Sequence, residues 1–459
     1  MLVHLCANVG LAADPTITVS ARQRYPWNGL VDLNFTITGE EGTRYFTSFT
    51  AKDMVGDTNI TMKTIRKSDG AAAATQEQLT PGTYSWVWDA AADLPKDFKC
   101  DRVTVTGTAI DAFPYSVKFN ANGGTGTMAN ESFTYGTAKA LTANTFTRTG
   151  YTFQGWATSA SGAKVYNDKQ SVSNLTETSG AVVNLYAVWK SALYMVVDLS
   201  SGSSSSKYPV SYLDAVPSGG WGNTYKTTKL VLRRCEAGSF KMGEGGAYNV
   251  TLSKPFFIGV FEMTQKQYEL VTGSNPCSST SYGKGNSNPV HLVSYDMIRG
   301  SSNGAKWPSS SAVDSSSFMG KLRARTGLSL DLPTEAQWEY ACRAGKTTTF
   351  SYGNSANGNY MWYCDNTGNV PSHAVGTKSP NAWGLYDMHG NVQEFCLNWY
   401  GGLASGTDPK GPSSGSYRVV RGGSWNSNAL GCTAYFRSEH APYTTYYITG
   451  FRIALTLSE

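Results

Sequence analysis

The sequence predicts a multi-domain, β-rich chain: an N-terminal all-β immunoglobulin-like sandwich, a small aromatic-packed β module and a larger C-terminal α+β domain. Three observations predict it. With 459 residues, the chain exceeds one ordinary core, because domains hold about 100–200 residues each. Apolar and polar residues alternate along several short segments, which is the period of half-buried strands. Charged residues make up 15% of the chain, against about 25% in a typical globular protein. Gly, Ser, Thr, Asn and Tyr take their place, a composition suited to loop-rich extracellular β folds.

Residues 1–13 read as the remnant of a signal peptide, with a short apolar stretch and small residues at Ala12-Ala13; a plain first strand is the other reading. Residues 14–112 are the sandwich. Val31, Leu33, Phe35 and Ile37 alternate with Asp32, Asn34 and Thr36. Tyr84, Trp86 and Trp88 alternate with Ser85 and Val87 after the turn at Pro81-Gly82, and Val103 and Val105 close the series. Short strands punctuated by Gly, Pro and Asp suggest an immunoglobulin-like sandwich. Ala71 to Ala74, beside Gly70, is expected to be a loop. No residue pattern here carries chemistry, so the segment is expected to be a spacer or stalk.

Residues 113–191 carry three signatures. They are Val117-Lys118-Phe119-Asn120-Ala121-Asn122-Gly123-Gly124, then Phe146-Thr147-Arg148-Thr149-Gly150-Tyr151-Thr152-Phe153-Gln154-Gly155-Trp156, then Leu185-Tyr186-Ala187-Val188-Trp189. Asn122-Gly123 is a hairpin-turn signal, because both residues tolerate positive φ. Tyr151, Phe153 and Trp156, with Tyr186, Val188 and Trp189, supply an aromatic packing surface. The stretch resembles the Listeria–Bacteroides repeat of bacterial surface proteins. That resemblance implies one small β-grasp-like module and cell-surface or secreted display, with its aromatics serving as core.

Residues 192–459 hold ordered signatures. Phe240-Lys241-Met242-Gly243 follows the strand Leu230-Val231-Leu232. Next come Phe257 to Tyr268, where Thr264 and Gln267 form a capping box that starts a helix, and Asn288-Pro289-Val290 with Val293 to Asp296. In Leu332 to Gly345, Thr334 is the N-cap, Gln337 the third helical residue, Trp338 and Ala341 share a face, and Gly345 ends the helix. Pro380 to Phe395, Arg418 to Trp425 and Gly450-Phe451-Arg452-Ile453-Ala454 complete the series. Together these resemble the formylglycine-generating-enzyme, or sulfatase-modifying-factor, family. The resemblance implies a C-type-lectin-like α+β fold.

It also implies what chemistry to look for. Active members use copper held by two cysteines, and thiolates suit Cu(I) because both are soft. Those positions fall on Ser427 and Cys432, and the family's active-site serine falls on Ser424. Cys432 and Ser424 are therefore catalytic only if the enzyme is active, and copper is not expected, because a hydroxyl is a poor Cu(I) donor. Cys432 is expected to be buried or disulfide-bonded, with Cys342 or Cys396 as partner, and Ser424 to be a turn residue. His389 and His440 are expected to be satisfied or exposed rather than ligands. The resemblance implies a calcium site at Asp387, Gly390, Val392 and Glu394, whose oxygens suit a hard cation. The competing reading is a salt-bridged turn with Glu394 paired to Arg421 or Arg452.

The net charge is +5, from 38 basic and 33 acidic residues, with no basic run, so nucleic acid is not an expected partner. No apolar run is long enough for a transmembrane span. None of the eight cysteines forms a CxxC pair, which argues against zinc-ribbon and thioredoxin-type sites. Residues 426–449 are rich in Tyr, Asn, Ser, Thr and His, the composition of an adaptable binding surface. Trp425, Asn426, Asn428, Tyr435, His440, Tyr443, Tyr446 and Tyr447 are its candidate contacts, for a protein or glycan ligand. The same segment resembles the variable region of retroelement-diversified receptors. The reading is a secreted or cell-surface protein with a non-catalytic binding domain. The alternatives are an active formylglycine-generating oxidase and a purely structural surface protein.

Overall fold

The computed structural model describes residues 15–26, 28–73, 77–96, 98, 102–111, 113–178, 180–277, 282–368 and 371–457. The readings placed on residues 1–13 and on Ala74 lie outside them. The described chain is mostly β and forms two compact units. One takes the residues up to Thr147 with Phe153–Val188; the other takes Arg148–Thr152 with the residues from Trp189 onward.

The first unit begins with two sheets. In one, the strands run Thr16–Gln23, Leu30–Thr38, Gly82–Asp89, Ile65–Lys67. In the other, Tyr45–Asp53 pairs with Thr58–Ile60, Glu77–Leu79 and Val103–Asp111. The alternation read from sequence is the observed one: Leu33, Phe35 and Ile37 are buried while Asn34 is exposed. Leu33 lies opposite Trp86 and Val31 opposite Trp88. Their side chains share one core with Tyr45, Ala51 and Ile60 of the second sheet. The all-β expectation misses one turn of helix, Ala90–Asp93, whose start is fixed by the Asp89 carboxylate accepting from the Ala92 N–H at 3.1 Å.

The repeat forms a four-stranded sheet ordered Glu131–Thr134, Pro114–Asn120, Val182–Ser191, Tyr151–Ala157, with the central pair parallel. Asn122 and Gly123 both adopt positive φ, 47° and 84°, as the turn signal requires. The turn is followed by a single bridge, Thr125 to Thr147, rather than a full hairpin strand. Trp156 is fully buried against Phe119, at 4.7 Å between ring centroids. The other five residues of the expected aromatic surface are half-buried, and on Val182–Ser191 it is Leu185 and Ala187 that face the core. A β-grasp needs a helix against its sheet, and among the described residues of 113–191 there is none. The connecting stretch, rich in Thr, Asn and Gly, has no helical apolar period to form one.

The second unit is built on a five-stranded antiparallel sheet ordered Val210–Leu213, Tyr194–Asp198, Lys229–Cys235, Phe256–Gly259, Ala454–Thr456. Both faces are covered. Met195, Val197, Leu230, Leu232 and Phe257 pack with residues of the helices Gln265–Thr272, Tyr295–Arg299 and Phe318–Thr326. Tyr194, Val196, Val231, Phe256 and Ile258 pack with Ala336, Trp338 and Ala341 of the helix Glu335–Arg343. Neighbouring residues on a strand therefore feed opposite cores, as a period of two demands. Both capping boxes form: Thr264 Oγ1 accepts from the Gln267 N–H at 3.3 Å, and Thr334 Oγ1 from the Gln337 N–H at 3.1 Å. The second helix ends one residue earlier than Gly345, because Ala344 takes the left-handed conformation at φ 47°.

Candidate functional site

The strand Arg418–Arg421 ends at Gly422-Gly423, both with positive φ. A side chain at Gly423 would meet the Gly431 carbonyl oxygen at 2.5 Å and the Cys432 sulfur at 2.7 Å, so only glycine lets the chain fold back here. The turn that follows is tied by its serines. The Ser424 N–H donates to Ser427 Oγ at 3.0 Å, and the Ser427 N–H donates to the Ser424 carbonyl at 3.0 Å. The two hydroxyls lie 3.2 Å apart. Ser424 is fully buried and acts as a turn residue.

Cys432 closes the loop from the 3-10 turn Leu430–Cys432. It is fully buried beside Phe350 and Met361. Burial, and then Cys364 nearby, push its thiol up to about 12, so it stays protonated. No disulfide joins Cys432 to Cys342 or Cys396; all six described cysteines are free. Cys396 belongs to the core around Trp338, a different cluster from that of Cys432. A buried neutral thiol and a hydrogen-bonded hydroxyl do not fit copper. The sulfur nearest to changing this is on another loop: the Cys364 N–H donates to the Ser427 carbonyl at 3.0 Å. Cys364 is exposed, and its thiol is raised from its ordinary value first by the Asp365 carboxylate, to which it donates at 3.1 Å.

Residues 387–392 form a tight buried loop, with positive φ at Asp387, Gly390 and Asn391, that runs into the strand Gln393–Trp399 carrying Glu394. A side chain at Gly390 would strike the Trp362 carbonyl oxygen at 2.0 Å. Glu394 pairs with Arg452, as one competing reading expected. Its Oε2 accepts from Arg452 Nε at 2.6 Å and from Trp338 Nε1 at 2.7 Å, and its Oε1 from Arg452 Nη2 at 2.5 Å. Asp387 Oδ2 accepts from the Gly376 N–H at 2.7 Å. Glu262 accepts from the Val392 N–H at 3.0 Å and from Asn391 Nδ2 at 2.7 Å. Burial, then the charges of Asp387 and Glu394, push Glu262 well above the usual carboxylate range, and burial pushes Asp387 up to about 6. Three buried acids thus crowd one buried arginine. Among the described residues, no hydrogen bond reaches the carbonyl oxygens of Gly390 or Val392. No three His, Cys, Asp or Glu side chains of the described residues converge as a metal cluster; the loop offers two carboxylates and two carbonyls instead, a hard-oxygen set of the kind calcium takes.

The candidate ligand residues divide. Trp425 and Tyr447 meet at 6.1 Å between ring centroids, and Tyr447 stacks on Tyr282 at 4.6 Å. The Trp425 N–H donates to the Asn391 carbonyl at 2.8 Å, which joins this aromatic row to the acidic loop. Tyr443 is 75% exposed, and Asn426 and Asn428 are exposed. Tyr435 and Tyr446 are half-buried. Tyr446 packs on His440 at 4.0 Å, and His440 Nε2 lies 2.9 Å from Gln393 Oε1. His389 is buried between the Cys432 carbonyl, 2.8 Å from its Nδ1, and Ser351 Oγ, 3.0 Å from its Nε2. Both histidines are satisfied by protein groups.

Residues 223–457 match the sulfatase-modifying factor enzyme 1-like domain, and residues 115–188 match the Listeria-Bacteroides repeat domain. The chain is 30% identical over 255 residues to the chaperone protein LppX of Paenibacillus barcinonensis, spanning 45% of this chain and 82% of that protein. The chain belongs to the sulfatase-modifying-factor family. It is also 34% identical over 143 residues to the formylglycine-generating enzyme of Streptomyces coelicolor, but that match spans 27% of this chain and only 46% of the enzyme. Among solved structures, Treponema denticola variable protein 1 is similar over 50% of this chain and 96% of its own, at 28% identity and a TM-score of 0.42.

In this sulfatase-modifying-factor domain, sequence motifs located the turn, the acidic loop and the terminal aromatic segment. They missed Cys364, Glu262 and Tyr282, each supplied by a distant loop. They also missed a stack of three: Trp362 lies 3.7 Å from the His373 ring, with Lys378 Nζ 3.6 Å from the Trp362 centroid. The His373 N–H donates to Asn391 Oδ1 at 2.9 Å. No local spacing marks any of these; only the fold brings them to the site.

Proposed function

We propose that the domain is a non-catalytic ligand-binding module of a secreted or cell-surface protein, carried behind an immunoglobulin-like sandwich and built on a C-type-lectin-like fold. The observation behind it is the state of the mapped copper pair. Ser427 spends its hydroxyl holding the Ser424 turn, and Cys432 is a neutral thiol sealed under Phe350 and Met361. A soft metal has nothing to grip there. What the domain does offer is an aromatic row of Trp425, Tyr447 and Tyr282, with Asn426, Asn428 and Tyr443 exposed in the same segment. Rigid rings with small polar neighbours suit a protein or glycan surface. Likeness to a protein named a chaperone supports a polypeptide ligand over a glycan.

Calcium is part of this reading. Asp387, Gly390, Val392 and Glu394 would hold it, and a divalent cation would offset the excess of buried acid. Because Asn391 anchors Trp425, an ordered loop would hold the aromatic face in place. The test has two arms. The purified chain is incubated with copper, oxygen and a CxPxR peptide, whose mass should stay unchanged; loss of the cysteine mass signature would overturn the reading. Alanine at Tyr443 and Tyr447 should abolish capture of ligands from an extracellular protein library; uniform tolerance would favour the structural alternative.

A second reading, an active oxidase, draws on one observation, the placement of Cys364 against Ser427. It requires Cys364 to supply the missing thiolate. Activity that Cys364→Ser abolishes would establish it.

A further inference from the structure

A separate cleft of about 510 Å³ opens beside the C-terminal strand Ala454–Thr456; its charged and aromatic lining residues belong to none of the motifs. Its volume falls within the ~300–1,000 Å³ range of small-molecule sites. The charge on its walls is unbalanced. Lys254 and Lys410 are exposed and form no ion pair with any described residue.

The acids of the cleft offset them only in part. Asp331 is already claimed, by Arg299 Nε at 2.7 Å and by Arg323 Nη2 at 2.7 Å. Asp408 accepts from the Ser253 N–H at 3.0 Å and from the Ser253 hydroxyl. Three lining cations, Lys254, Lys410 and Arg323, therefore stand against two anions, with Arg299 behind Asp331 adding a further positive charge. The remaining lining includes the Trp307 ring, with Lys410 Nζ 5.8 Å from its centroid, and the exposed hydroxyl residues Ser311 and Ser329.

We infer that this cleft binds a carboxylated saccharide. The two free ammonium groups would meet carboxylates, the indole face would carry the apolar face of a sugar ring, and the serines would meet ring hydroxyls. A bare anion would use only the lysines, and an acidic peptide would leave the indole without a ring to match. The site is independent of the aromatic face around Trp425.

The test is calorimetric titration of the full chain with trigalacturonate, alongside its methyl-esterified trimer, triglutamate and citrate. Trigalacturonate should bind, its uncharged ester should not, and triglutamate and citrate should bind at least tenfold more weakly. The double variant Lys254→Glu/Lys410→Glu should lose binding at least tenfold with an unchanged melting curve, since both side chains are exposed. Trp307→Phe should weaken the saccharide selectively, and Tyr447→Ala should leave it unchanged. Equal binding of citrate or triglutamate, binding that survives the double charge reversal, or no binding at millimolar trigalacturonate would each overturn the inference.

Discussion

The Cys364 backbone N–H donates to the carbonyl oxygen of Ser427 at 3.0 Å, across a gap of more than sixty residues in sequence. This places an exposed thiol against the Ser424–Ser427 turn, on which the buried thiol of Cys432 also packs. Their reactivities should differ sharply, because a reagent reaches the thiolate of Cys364 but not that of Cys432. Cys432 is held near 12 and sealed from solvent. Under native conditions, Cys364→Ser should remove one fast-reacting thiol in a disulfide-exchange assay, and Cys432→Ala should remove none. Fast labelling of Cys432 would show that the loop opens.

Copper uptake separates the two functional readings. The wild-type chain should leave Cu(I) with a strong competing chelator, and Ser427→Cys should gain one equivalent by restoring a second soft donor. One-to-one uptake by the wild type, lost in Cys364→Ser, would transfer the second ligand to Cys364 and reverse the conclusion on catalysis.

Local signals were the legible ones. The alternation at Leu33, Phe35 and Ile37 and the Thr264 and Thr334 caps depend on residues within a few positions, so spacing reveals them. The same spacing misled at Leu185 and Ala187, where larger aromatic neighbours drew the reading although the small and aliphatic residues face the core. The site was legible only in part. Asp387 and Glu394 are close in sequence, but Glu262, which crowds them, comes from the start of the domain. Tyr282 reaches Tyr447 only through folding. Contacts between distant loops leave no period to read, and buried charge cannot be told from surface charge by residue type.

Calcium should stabilise the chain. A ligand that binds only the folded state contributes about 2.7 kcal/mol at a hundredfold excess over its Kd. After chelation, adding calcium should raise the melting temperature by several degrees, with magnesium less effective because it dehydrates reluctantly. Asp387→Asn keeps an oxygen for the Gly376 N–H but removes a charge, and should abolish the shift. An unchanged melting curve in millimolar calcium would favour the plain Glu394–Arg452 turn.

Buried and exposed ion pairs should differ in cost. Glu339 is fully buried, accepting from Arg343 Nε at 2.8 Å and the Gly243 N–H at 2.7 Å and pairing with Arg421. Glu339→Gln leaves cationic charge uncompensated in the interior and should cost about 3–5 kcal/mol in urea denaturation. Glu269→Gln breaks a pair with Lys266 whose carboxylate side is 42% exposed, and should cost under about 0.5 kcal/mol. Similar losses at the two sites would mean that the Glu339 network is open to water.

Acid should weaken the terminal segment through His440. Burial holds this imidazole down at about 4, against an ordinary value of 6.5. As pH falls from that ordinary value, the unfolded chain takes up a proton that the folded chain refuses until near 4. Over that window the unfolded state holds more protons, so stability falls with falling pH; above it the contribution is fully present. Urea midpoints measured at about pH 7.5 and about pH 5 should drop toward acid, and His440→Gln, which cannot titrate, should flatten the slope. A slope unchanged by His440→Gln would mean that the ring protonates as freely in the folded chain as in the unfolded one.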